Sequence, residues 1–97
     1  DGYHSKREKR RAIELELLVK AGKIEDLKYQ VPYILLPSFT FNKKKHREIK
    51  YIADFVYQKG NKTIIEDCKG FKTEPYKIKK KLLLNMLDSN KYEFIET

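Results

Sequence analysis

Two aspartates and a lysine carry most of the chemistry on offer in this chain. Asp54 lies in "YIADFVYQ", and Asp67 and Lys69 lie in "IIEDCKG". Gly60 and Asn61 separate the two runs and read as a two-residue hairpin turn, which pairs Lys59 with Lys62. Followed back along both strands, that register sets Asp54 opposite Asp67. Opposed side chains share a sheet face with Cβ atoms about 4.5–5.5 Å apart, so like charges there repel unless a cation lies between them. Lys69, two residues past Asp67, falls on the same face, while Glu66 points to the other. A carboxylate pair flanked by a lysine suits Mg²⁺ (or Mn²⁺), a hard ion often bound by one or two carboxylates plus a substrate phosphate. Such an ion polarises a phosphodiester and supplies a nucleophilic water. The lysine orients that water or offsets developing negative charge. The same residues also fit a structural arrangement, with the aspartates separately hydrated or one of them salt-bridged to Lys69.

The elements that position these groups follow from periodicity. From Ser5 to Ala21 there is no Pro or Gly. Apolar residues recur there at helical spacing, with Gly22 as the stop. On this helix Glu8 shares a stripe with Ala12, Leu15 and Val19, which turns it inward near the helix start. It is a candidate third acid, or the partner of Ser5 in a capping box. "LKYQVPYILLP" is extended, and Pro32 assigns it an edge position or a bulge. "SFTFNKKKHREI" reads as an exposed loop or a flaring hairpin tip. The Asp54 and Asp67 runs make a hairpin, and "TEPYKIKKKLLLNML" makes a second helix with Thr73 as N-cap and Pro75 in its first turn. "KYEFIE" closes the chain as a short strand. The order αβββαβ predicts an α+β (α/β) domain spanning residues 1–97, a mixed sheet flanked by helices.

Composition bounds the partners. The 97 residues suffice for one modest core, and the net charge is +8, from 22 Lys and Arg against 14 Asp and Glu. The positive charge is clustered at Lys6 to Arg11, Lys43 to Arg47 and Lys77 to Lys81, a pattern that favours a polyanion such as DNA or, more plainly, a solvated surface. No apolar run reaches membrane-spanning length and no leader segment is evident, so a soluble, cytoplasmic protein is expected. The chain opens on Asp1 rather than Met, which leaves room for residues upstream. The single cysteine, Cys68, excludes an internal disulfide and reads as a small core residue. His4 and His46 lack metal-ligand spacing.

Taken together, "SKRE" (Ser5 to Glu8), Gln30, "ADFVY" (Ala53 to Tyr57), "DCKG" (Asp67 to Gly70) and Thr73 resemble the layout of PD-(D/E)XK nucleases. More narrowly they resemble a family of small phage proteins and the Holliday-junction resolvases. The resemblance covers nearly the whole chain and implies a restriction-endonuclease-like domain. It implies a Mg²⁺-dependent endodeoxyribonuclease, with branched or recombining phage DNA as substrate and the bacterial host cytoplasm as its place of action. Asp54 and Asp67 would be metal ligands, Glu8 a further acidic site residue and Lys69 the catalytic lysine. Departures are Ala53 where the motif has proline, and Asp67 where glutamate is commoner. Gln30 either contacts the site from the first strand or is a surface residue. Lys43, Lys44, Lys45 and Arg47 would grip the DNA backbone. Lys79 and Lys80 either reach a substrate phosphate or snorkel to solvent. A homodimer would place two sites on two strands, with Tyr51, Phe55 and Tyr57 as its interface or, equally, beneath the second helix. The rival function is a basic DNA-binding module without turnover.

Overall fold

A computed structural model describes residues 6–97. Ser5 and His4, and with them the expected capping box, lie outside the described residues. Along the chain follow α1 (Lys6–Lys20), β1 (Glu25–Leu36), β2 (Phe39–Phe41), β3 (Lys44–His46), β4 (Ile49–Lys59), β5 (Lys62–Asp67), α2 (Glu74–Met86) and β6 (Tyr92–Glu96). Four strands form a mixed sheet in the order β1-β4-β5-β6, antiparallel except for the parallel β5/β6 pair. The fold is thus the expected α+β domain, with β2 and β3 added as a separate small hairpin. No helix among the described residues is long and apolar enough to cross a membrane.

Local sequence explains the element ends. α1 stops at Gly22, whose φ of +73° costs little without a Cβ. Lys23 N–H returns to Leu18 O at 2.9 Å and Gly22 N–H to Val19 O at 3.0 Å, the paired bonds of a Schellman cap. α2 starts at Thr73, whose hydroxyl accepts from Tyr76 N–H at 3.2 Å, and Pro75 occupies the first turn where its missing donor is harmless. Lys59 pairs with Lys62 as expected, and Gly60 takes a φ of +62° in the turn between them. The arm between β1 and β4 reverses through Asn42 and Lys43, both at positive φ, so it is the hairpin tip rather than a loop.

The helices lie on opposite faces. Ile64 and Ile65 are neighbours in β5, so they point to opposite sides of the sheet. Ile64 packs with Ala12 and Leu15 of α1, Ile24, Phe55 and Tyr57, and Ile65 with Leu83 of α2, Tyr51, Ala53 and Val56. Glu8, Ala12 and Leu15 are buried as their shared stripe requires. Val19, however, is 39% exposed. Leu18, about 80° round the helix from Glu8 in that stripe, packs on the core at this end instead. Tyr51, Phe55 and Tyr57 are all buried in this single chain, so they offer no surface to a second copy. Phe55 and Tyr57 lie beneath α1, and only Tyr51 lies on the α2 side.

β4 does not alternate cleanly. Tyr51 and Ala53 belong to the α2-side cluster, whereas Phe55 and Tyr57 belong to the α1-side cluster. The phase changes at Asp54, the residue after which β4 pairs with both neighbours. From Phe55 onward β4 pairs with β5, but its earlier half, Ile49 to Ala53, pairs with β1 alone. Asp54 and Asp67 therefore sit at a fork, where β5 ends and β4 runs on with β1 as a two-stranded ribbon.

Candidate active site at the strand fork

At the fork the two aspartates replace ladder hydrogen bonds with side-chain ones. Asp54 N–H donates to Asp67 Oδ1 at 3.0 Å, and Cys68 N–H donates to Asp54 Oδ2 at 2.9 Å. Each carboxylate thus satisfies backbone that the diverging strands leave unpaired, and each is held in a fixed orientation by it. Asp54 is 5% exposed and Asp67 0%. Asp67 Oδ2 is buried with no hydrogen-bond partner among the described residues, an arrangement that costs free energy unless something electropositive meets it.

The supporting residues come from four elements. Gln30 Nε2 reaches Asp54 Oδ1 at 3.3 Å and Glu8 Oε2 at 3.4 Å, so one amide spans the acid on the sheet and the acid on α1. Gln30 has a φ of +52°, a left-handed conformation that an ordinary strand residue avoids. Lys69 Nζ lies 4.0 Å from Asp67 Oδ1 and 5.1 Å from the centre of the Tyr76 ring on α2. The Lys69 carbonyl accepts from Arg7 Nη1 at 3.2 Å, which ties the loop after β5 to the first turn of α1. The predicted Glu8, Gln30, Asp54, Asp67 and Lys69 are thereby brought together.

Burial pushes the Asp67 carboxyl up to about 6, against the opposing pull of the Asp54 N–H and the Lys69 ammonium; Glu8 and Glu96 add to the rise. Burial also raises the Cys68 thiol, whose Sγ lies 3.1 Å from Thr97 Oγ1. That thiol is half-buried and packs against the α1-side core.

Other predicted residues lie further out. Lys80 pairs with Glu96 at 3.1 Å and sits over the Phe94 ring at 5.1 Å, and Glu96 is the strand partner of Asp67. Glu96 also accepts from the Tyr76 hydroxyl and meets Lys72 at 3.5 Å, and the Tyr76 donor foremost holds its carboxyl below the usual range. Lys79 lines a cleft together with Lys69. Lys43, Lys44, Lys45 and Arg47 are exposed on the β2–β3 arm, where Lys45 and Arg47 line a second cleft. Glu66 lies on the α1 face as expected, fully buried. There it takes two hydrogen bonds from Arg11, one of them at 3.1 Å, and one from Tyr57 at 2.8 Å.

Two positioning residues escaped the sequence reading. Arg7 reads as one of a basic run, and Tyr76 as part of an apolar stripe. Only the position of Thr73, which starts α2 just after "DCKG", hints that its first turn sits beside Lys69.

Asp54 and Asp67 present a compact, buried, oxygen-only donor set with one oxygen unpartnered, which fits a small hard cation. No group of three or more His, Cys, Asp or Glu side chains placed to hold a metal ion together occurs among the described residues. Glu8 shares the Gln30 amide with Asp54 and adds a third carboxylate beside the pair. Such an open arrangement leaves coordination positions for water and substrate.

Comparison with known sequences matches the family described as "Protein of unknown function (DUF1064)" over residues 1–96. The chain belongs to the DUF1064 family. Neither the curated proteins nor the solved structures contain a match to it.

Proposed function

We propose that this DUF1064 chain is a Mg²⁺- or Mn²⁺-dependent endonuclease that hydrolyses phosphodiester bonds in DNA, of the PD-(D/E)XK kind. The single observation that supports this most is the buried Asp54–Asp67 pair, with an unpartnered oxygen on Asp67 and Lys69 beside it. Asp54 and Asp67 would hold the ion, with Glu8 reaching it through a shift of the Gln30 amide. When bound, the ion supplies Lewis-acid polarisation of the phosphate and an acidified water. The chain's own residues do the rest. Lys69, braced by the Tyr76 ring and by the Arg7 contact to its carbonyl, sets a positive charge where negative charge grows on the phosphate oxygens. Gln30 keeps the Asp54 and Glu8 carboxylates apart and oriented. Branched or recombining DNA is the substrate that the sequence resemblance suggests.

A second reading has its own observation. Three of the four aspartate oxygens already accept hydrogen bonds from Gln30, Asp54 N–H and Cys68 N–H. A fork locked in that way suits a basic DNA-binding module without turnover. Incubation of four-way junction and plasmid DNA with Mg²⁺ or Mn²⁺ separates the two. Cleavage that stops with EDTA, and in Asp67→Ala and Lys69→Ala variants that still bind DNA, supports the nuclease. Binding without cleavage under every metal condition leaves the binding module. Cleavage that survives both substitutions refutes the assignment of these residues.

A further inference from the structure

Beside the fork, a cleft of 380 Å³ has Lys50, Tyr51, Lys69, Tyr76 and Lys79 among its walls. Three of these are lysines, and no carboxylate lines the cleft among the described residues. Lys50 and Lys79 make no ion pair among the described residues, in contrast to Lys72, Lys77 and Lys80 on the same stretch of chain. Tyr51 lines the cleft too, and its hydroxyl is buried without a hydrogen-bond partner. Three cations around one concavity call for an anion with several oxygens.

The cleft has two neighbours. Lys69 belongs both to it and to the Asp67 site. Lys50 belongs both to it and to the second cleft, of 760 Å³, which Ser38, Lys45, Arg47 and Glu48 complete beneath the β2–β3 arm. These two shared lysines link the aspartates to the arm in one path along walls that are mainly basic, with Glu48 the one carboxylate among the described lining residues. A lone phosphate would need only the first cleft, whereas a chain of phosphates uses the whole path.

We propose that this path is the track of one nucleic-acid strand on one side of the cleaved bond. Lys50 and Lys79 each hold one of the two phosphates next to the scissile one, and Lys45 and Arg47 hold phosphates further out. The inference rests on the nuclease reading for which phosphate is cut, but strand binding along the track needs no catalysis. The track variant Lys50→Gln/Lys79→Gln and a control of equal charge, Lys20→Gln/Lys59→Gln, are compared in EDTA. The readout is anisotropy of a short fluorescein-labelled oligothymidylate between roughly 50 and 200 mM KCl. Each phosphate contact on a single strand contributes about 0.7 to the salt slope, so the track variant is expected to lose about 1.4. Its disadvantage against wild type is then roughly sevenfold larger at the low-salt end than at the high-salt end. The control keeps the wild-type slope. An unchanged slope in the track variant, or an equal loss in the control, overturns the track. Competition by inorganic phosphate that matches the oligonucleotide in affinity also overturns it, since a free anion then suffices. Failure of the nuclease reading shows separately, as intact DNA after incubation with metal while these binding differences persist.

Discussion

Substituting Asp67 by Asn should make the metal-free protein more stable at neutral pH, an unusual outcome for a buried site residue. Burial raises the Asp67 carboxyl from 3.8 to about 6 in the folded chain. A group with a raised folded-state value binds its proton more tightly when folded. Its stabilising contribution is therefore complete below 3.8 and is lost as pH climbs through about 6. A gap of about two units at 1.36 kcal/mol each corresponds to about 3 kcal/mol, a large share of the 5–15 kcal/mol typical of small domains. Asn keeps the carbonyl oxygen that accepts from Asp54 N–H but never ionises. In EDTA, urea unfolding should show Asp67→Asn ahead of wild type by about 1 kcal/mol near pH 4.5 and about 3 kcal/mol near pH 8. For a chain of this size the larger figure moves the melting midpoint by on the order of 10 °C. Added Mg²⁺ should raise the wild-type midpoint and leave the variant where it is, because a cation that meets two carboxylates stabilises only the state that presents them. A stability difference that stays flat between the two pH values would refute the claim that the buried charge is what Asp67 costs the fold. A variant less stable than wild type at both would do the same.

Glu66→Gln removes the charge that Arg11 meets beneath α1 while Glu14 still pairs with the guanidinium, and urea unfolding should show a loss of about 1.5–3 kcal/mol. Gln30→Gly and Gln30→Ala both delete the amide that spans Glu8 and Asp54. Only glycine relieves the +52° backbone, so the glycine variant should be the more stable by about 1 kcal/mol in thermal melts. Thr73→Ala removes the α2 cap and should cost about 1 kcal/mol, read in the same way. Tyr51→Phe removes a buried hydroxyl that has no partner, so its melting midpoint should match or exceed that of wild type.

What the sequence by itself determined were the features set by near neighbours in the chain. Gly60 and Asn61 fix the β4–β5 register, because a two-residue turn admits one pairing, and its last ladder pair, Phe55 with Glu66, brings Asp54 next to Asp67. Gly22 and Thr73 end and begin helices through hydrogen bonds that span a few residues. The burial of Glu8 followed from its helical stripe. Val19 shares the phase of that stripe and is nevertheless exposed while Leu18 packs on the core, because burial of the last turn depends on what the helix end meets. Only the tertiary structure decided how distant elements meet. The fork at Asp54 exists because β4 leaves β5 and continues with β1, a choice that no local pattern encodes. Arg11 finds Glu66, Gln30 finds Glu8, and Tyr76 comes beneath Lys69 only once both helices are packed on the sheet. Tyr51, Phe55 and Tyr57 show the same limit from the other side. Alternation marked them as a shared face, yet the change of phase at Asp54 sends Tyr51 to one helix and the other two beneath the opposite one. Local geometry is set by bonds a few residues long. The site is set by the way apolar faces close over one another, and that packing is a property of the whole chain.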